Sequence, residues 1–244
     1  MLREEYLVRL RENAYVELYL SAKDGARIFW PWRMLPPKNA TQLYRDACDQ
    51  LIIDSDPLNP DVTIDDVLDC AVEVNADAAS LADVYLDKDA TVDLLLDGLE
   101  IADDHSFDGD ILIPLQEPFI ECYKEIGEPS GLLGIGGLKD ASTTKQINSA
   151  KKLRQFVGED RWIHGFGWGP ADGLGREIRD HPNLIDSMDY STPVQNVRYK
   201  DSTPGDERMS ITAAKAGASL VYDLRELSSF VSVDSDNNQK ITDF

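Results

Sequence analysis

The sequence predicts an α/β chain folded as a (β/α)8 barrel, and three observations carry that expectation. Short apolar runs rich in Val, Ile, Leu and Tyr alternate with longer amphipathic stretches. The longer stretches have the spacing and the length, about 10 to 15 residues, of helices that connect parallel strands. No low-complexity run and no long Pro, Gly or Ser linker divides the 244 residues, so the chain reads as one domain over 1–244. Such alternation implies a parallel sheet buried on both faces, either an open doubly wound sheet or a closed barrel. Seven candidate strands within about 190 residues favour the barrel.

In order, the candidate strands are AYVELYL (14–20), QLIID (50–54), ADVYLD (82–87), DILIPLQ (110–116), GLLGIGG (131–137), RWIHGFG (161–167) and NLIDSMD (183–189). Helical patterns lie between them at 63–76, 91–104 and 143–158. Thr63 followed by Asp66, and Thr91 followed by acids, have the form of helix N-caps, and Gly158 that of a helix stop. Beyond Asp189 the pattern weakens: 190–209 reads as an irregular loop, and 211–231 as one helix or as a strand followed by a helix. The eighth strand has no assigned place.

Composition narrows the setting. The chain carries 45 acidic and 24 basic residues, a formal net charge of -21, and 31 of the acids are Asp against 14 Glu. The acids are spread along the whole chain, which suits a solvated coat at molar salt, where repulsion is screened to about 3 Å. This is a halophile signature. Cys48, Cys70 and Cys122 are far apart and form no CxxC pair, which fits a reducing cytoplasm. A charged N-terminus and the lack of any long apolar run predict neither secretion nor a membrane span. His105, His164 and His181 show no metal-ligand spacing, so no metal and no cofactor is expected.

A barrel places its chemistry at the C-terminal ends of its strands. Read in order, the apolar runs close on Asp54, Asp87, Gln116, Gly136 with Gly137, Gly165 with Gly167, and Asp186. An Asp after a strand often caps the next helix. Asp54 is not needed for that, since Thr63 is the next cap candidate, and Asp186 stands apart from any cap as well. Asp56, Asp83 and Asp89 read as surface or capping residues. The GIGG loop lets backbone amides approach a flat ligand or simply makes a tight turn. It has neither the GxGxxG nor the P-loop form. His164, inside an apolar run, reads as a packed core residue before it reads as a base.

Taken together, residues 50–190 resemble the tRNA-guanine transglycosylase superfamily. Asp54-Ser55 matches a strand that ends in a catalytic aspartate. It is followed in the family's order by Asp87, Gln116, the LGIGGL loop at 133–138, the GFG loop at 165–167, and LIDSMD with Asp186 as nucleophile. Two departures stand out. Asp-Ser-Asp-Pro-Leu replaces Asp-Ser-Gly-Gly-Phe, so the base-stacking Phe has no counterpart there, and the zinc-binding Cys-x-Cys-x2-Cys with its later His is absent from 187–244. A shortened, zinc-free chain is similar to the DNA-acting paralogues of viruses and bacterial modification islands, which insert a 7-deazaguanine into DNA.

The resemblance implies a base exchange through a covalent Asp186–sugar intermediate, with Asp54 handling protons. Asp87, Gln116, and the Gly136 and Gly137 amides would read the base, and Gly165 and Gly167 would line the site. It implies DNA and a free 7-deazaguanine as partners, with tRNA as the alternative acceptor and accessory proteins or self-association open. Lys145, Lys151, Lys152 and Arg154, then Arg176, Arg179 and Arg198, are the cations available for phosphates, and Trp162, Trp168 and Tyr190 could stack on a base. Competing readings are a barrel glycoside hydrolase using Asp54 and Asp186, and a non-catalytic binding barrel.

Overall fold

The computed structural model of the chain describes residues 8–21, 30–56, 59, 61–170, 173–191 and 219–229. Eight parallel strands close into a barrel in simple sequence order. They are β1 (Glu17–Leu20), β2 (Trp32–Leu35), β3 (Gln50–Ile53), β4 (Ala78–Ser80), β5 (Asp110–Leu115), β6 (Leu132–Ile135), β7 (Ile163–Gly165) and β8 (Ser187–Tyr190). The helices are α1 (8–12), α2 (Gln42–Arg45), α3 (Ile64–Glu73), α4 (Lys88–Asp104), α5 (Phe119–Glu125), α6 (Thr143–Val157), α7 (Leu174–Asp180) and α8 (219–226). Strand β8 closes the barrel on β1 over four residue pairs, from Glu17 with Ser187 to Leu20 with Tyr190.

Period-2 alternation divides each strand between two layers. On β3, Leu51 and Ile53 pack outward with Val67, Leu68 and Ala71 of α3, while Ile52 faces the barrel interior and belongs to a separate cluster. Asp54, two residues beyond Ile52, therefore points inward at the mouth. Helix α3 starts where expected: the Thr63 hydroxyl accepts from the Asp66 amide and the Asp66 carboxylate accepts from the Thr63 amide, a complete capping box. Gly158, at φ 90°, ends α6.

Two strand expectations are corrected. ADVYLD is not a strand; β4 lies just before it and is made of Ala78, Ala79 and Ser80. Val84, Tyr85 and Leu86 are instead an exposed apolar loop, with Leu86 at φ 60°. The other strand is β2, in the segment WPWRML, which supplies the eighth member that had no assigned place. In that region 219–226 is helical, and 192–218 lies outside the described residues. No described helix is long and apolar enough to cross a membrane.

Candidate functional site

At the mouth, four carboxylates gather around the strand ends. Asp54 follows β3, its amide donating to Leu35 O at 2.9 Å. Part of its surface faces the opening, yet the protein packed around it dominates. Burial first, then the charges of Asp189, Asp56 and Asp83, push its carboxyl up to about 7. A carboxylic acid that keeps its proton near neutrality can donate it.

Asp189 is held the opposite way. Burial alone would raise it, but hydrogen bonds from His164, the Gly167 amide and Ser21 keep it below the usual carboxylate range. The Gly167 N–H donates to Asp189 Oδ1 at 2.7 Å, and His164 Nε2 lies 3.1 Å from the same oxygen. Gly167 takes φ 68°, a left-handed conformation that a side chain would strain. Two interacting carboxyls of opposite tendency thus share one mouth, one pushed toward its protonated form and one toward its ionised form.

Beside them, Gln116 follows β5 and donates through Nε2 to Asp83 Oδ2. Its Oε1 accepts from the Leu86 amide at 3.2 Å. A side chain at Gly136 or Gly137 would collide with the Gln116 amide, so the two glycines are the space in which Gln116 lies. The Gly136 N–H already donates to Leu115 O at 2.9 Å. It is not free to read a ligand, which corrects that expectation. Burial raises Asp83 above the usual range, against the opposing bond from Gln116. Asp56, at φ 49° and buried, pairs with Lys38 at 2.8 Å.

Three expected site residues are displaced. Asp186 precedes β8, at the end of the barrel opposite the mouth. Its Oδ2 accepts from Arg154 Nη2 at 2.6 Å and from the Ile163 amide at 2.7 Å, tying α6 to the starts of β7 and β8. It cannot reach a substrate at the mouth; Asp189, three residues on, is the acid at the strand's far end. Asp87 caps α4 by accepting from the Ala90 amide at 3.1 Å, and is exposed; Asp83 takes the inward place. Gly165 gives up its side-chain space to the Trp168 ring rather than to a ligand.

The aromatic and basic candidates are largely committed elsewhere. Trp168 is buried, Trp162 stacks on His164, and the Tyr190 hydroxyl donates to Asp223. Lys145 pairs with Glu117 at 2.6 Å, Lys151 contacts His181 at 3.0 Å, and Arg179 meets Glu226 at 3.5 Å. Arg198 lies outside the described residues. Among the described residues no three His, Cys, Asp or Glu side chains are arranged to hold a metal ion.

Removing the lower-rim pair is expected to affect stability and not mouth chemistry. Asp186→Ala leaves Arg154, only 10% exposed, without its carboxylate. The expected loss is about 2–3 kcal/mol in denaturant unfolding, below the range for fully buried pairs because Asp186 is itself partly exposed. Turnover per folded molecule should stay within about 2-fold; a larger loss would put Asp186 back in the chemistry.

No family model and no curated protein matches the sequence. Solved structures do match in shape. A protein from Coccidioides immitis assigned as a fructose-1,6-biphosphate aldolase superposes with a TM-score of 0.62 at 12% identity, over 93% of this chain and 97% of its own. The YdjI aldolase from Escherichia coli K12 gives 0.60 at 9% identity, over 94% and 97%. These likenesses establish the barrel.

Proposed function

We propose that the chain is an enzyme exchanging a base at a glycosidic bond, of the guanine-transglycosylase kind, with DNA as acceptor and a 7-deazaguanine as the incoming base. One observation carries the reading: at one barrel mouth Asp189, gripped by His164 and the Gly167 amide, stands with Asp54, whose carboxyl is pushed up to about 7, beside an Asp83–Gln116 pair. With Asp83 and Asp189 in place of Asp87 and Asp186, the order Asp, Asp, Gln, Gly-Gly, Gly-x-Gly, Asp is kept around the barrel. That order of residue types is the support the reading draws from the resemblance.

The chemistry is a double displacement. Asp189 attacks C1′ of the target deoxyguanosine as the C1′–N9 bond breaks, and Asp54 gives its proton to the departing guanine. The sugar is then esterified to Asp189 with its configuration inverted. The N9 of the incoming base attacks C1′, the ester bond breaks, and Asp54 takes the N9 proton, so that configuration is restored. Asp83 faces the base, its carboxyl suiting the N1–H and amino donors of guanine, and the buried Gln116, with Nε2 on Asp83 and Oε1 on the Leu86 amide, holds that carboxyl in place. The target base must leave the helix stack, at a cost of a few kcal/mol in duplex DNA.

The test is incubation of the protein in high salt with guanine-labelled DNA or tRNA and candidate 7-deazaguanines, read by nucleoside mass spectrometry. Deazaguanine in DNA with equimolar guanine release is expected. Incorporation into tRNA alone would change the acceptor. Guanine release without incorporation would make the chain a hydrolase, and no change in either nucleic acid would defeat the catalytic reading.

A further inference from the structure

His164 lies on β7, fully buried, at the centre of the barrel. Its ring is boxed by three aromatics: Trp162 stacks on it with centroids 5.8 Å apart, and Tyr19 and Phe166 meet it edge to face at 5.9 and 4.8 Å. Gly134 leaves the room that Phe166 fills. Both ring nitrogens have partners on the neighbouring strand: Nδ1 is 2.6 Å from Ser187 Oγ, and Nε2 is 3.1 Å from Asp189 Oδ1.

The spacing resembles a Ser-His-Asp triad run in reverse, but Ser187 cannot be a nucleophile. It is fully buried and sits two residues deeper than Asp189 on the same strand. The direction of the hydrogen bonds follows from the acid. A carboxylate only accepts, so Nε2 must carry the proton that meets Asp189, and in the neutral ring Nδ1 then accepts from the Ser187 hydroxyl. A histidine that merely filled space would bury two polar nitrogens at a cost of about 1–3 kcal/mol each if they were left unpaired. Here both are spent on one chain that ends at the mouth.

Building on the base-exchange reading, we propose that His164 is the positioning residue of the nucleophile: with its tautomer set by Ser187, its Nε2–H grips Asp189 Oδ1 together with the Gly167 amide and fixes the carboxylate for attack on C1′. The aromatic box prevents the ring from turning. Ser187 acts on the reaction only through His164.

The test compares His164→Leu, His164→Gln and Ser187→Ala in the full chain at high salt. His164→Leu removes the donor and should lower kcat for exchange by about 10²-fold with KM for the free base changed less than about 2-fold. His164→Gln keeps an N–H within reach of Asp189 and should recover to within about 10-fold of the parent. Ser187→Ala, the milder change should His164→Leu not fold, is expected to cost about 10-fold in kcat. Activity of His164→Leu within about 3-fold of the parent, a Gln variant no better than Leu, or a Ser187→Ala variant as active as the parent would overturn the role. Ring-nitrogen NMR of the parent gives a readout independent of turnover. The Nε2–H tautomer is expected for His164, with its Nε2 signal moved by Asp189→Asn; an Nδ1–H tautomer or an unmoved signal would refute the contact even if no substrate were turned over. A parent that exchanges no base while showing that tautomer would defeat the base-exchange reading and leave the contact standing.

Discussion

Asp189→Asn is expected to abolish base exchange, lowering the rate by at least about 10⁴-fold, because an amide oxygen cannot form the glycosyl ester. The fold should survive. The amide oxygen of the variant still accepts from the Gly167 amide and from His164 Nε2, whose bonds to Asp189 Oδ1 are 2.7 and 3.1 Å. The decisive measurement is intact-protein mass after mixing with DNA in the absence of the incoming base. The parent should gain a covalent DNA adduct that maps to Asp189, and the variant should gain none. An adduct on another residue, or normal exchange by the variant, would defeat the assignment.

Asp54→Asn is expected to act in two opposite directions. Exchange should fall by about 10² to 10⁴-fold, since an amide neither gives nor takes the proton. Stability, however, should rise at alkaline pH. The folded carboxyl titrates at about 7 against an ordinary value of 3.8, so the folded state binds the proton more tightly than the unfolded one. Below about 3.8 both states are protonated and the residue costs nothing. As pH rises toward 7 the unfolded chain ionises first, stability falls, and above about 7 the full cost is present. At about 1.36 kcal/mol per pKa unit, and trimmed for the part of Asp54 that faces solvent, this comes to about 2–4 kcal/mol. Urea unfolding at fixed salt should therefore show the Asp54→Asn variant gaining that much at about pH 8 and almost nothing near about pH 4. Equal gains at both pH values would show that the charge is not the cause. The same proton predicts that exchange by the parent declines above about pH 7.

The three longest helices were legible in the sequence because their signals are local, and their alternation with apolar runs pointed to the barrel. Thr63 and Asp66 bond to one another, Gly158 meets its own φ requirement, and the outward faces of α3 repeat every three to four residues. The strands were harder. Three small residues make β4, and hydrophobic patterning is weak in Ala78, Ala79 and Ser80, whereas the more strand-like Val84, Tyr85 and Leu86 form an exposed loop. The same uncertainty displaced the acids. The strand ends carry competing aspartates, Asp83 with Asp87 and Asp186 with Asp189, and only the strand limits decide which one points inward at the mouth. Asp54 and Gln116 do close their strands as read, because β3 and β5 end where their apolar runs end. His164 was recognisable as buried, but its partners Ser187 and Asp189 belong to another strand, and no spacing along the chain announces a pairing across a sheet.

The strand of the proposed nucleophile is also the strand that closes the barrel, since β8 pairs with β1 and carries Asp189. Its positioning contact crosses the seam between β7 and β8. A chain emerging during synthesis therefore holds Asp54, Asp83 and Gln116 long before it holds Asp189, the residue that attacks the sugar in the proposed exchange. Completion of the circle and acquisition of reactivity are one event, so a partly built or clipped molecule is expected to be inert toward DNA rather than to strip bases from it.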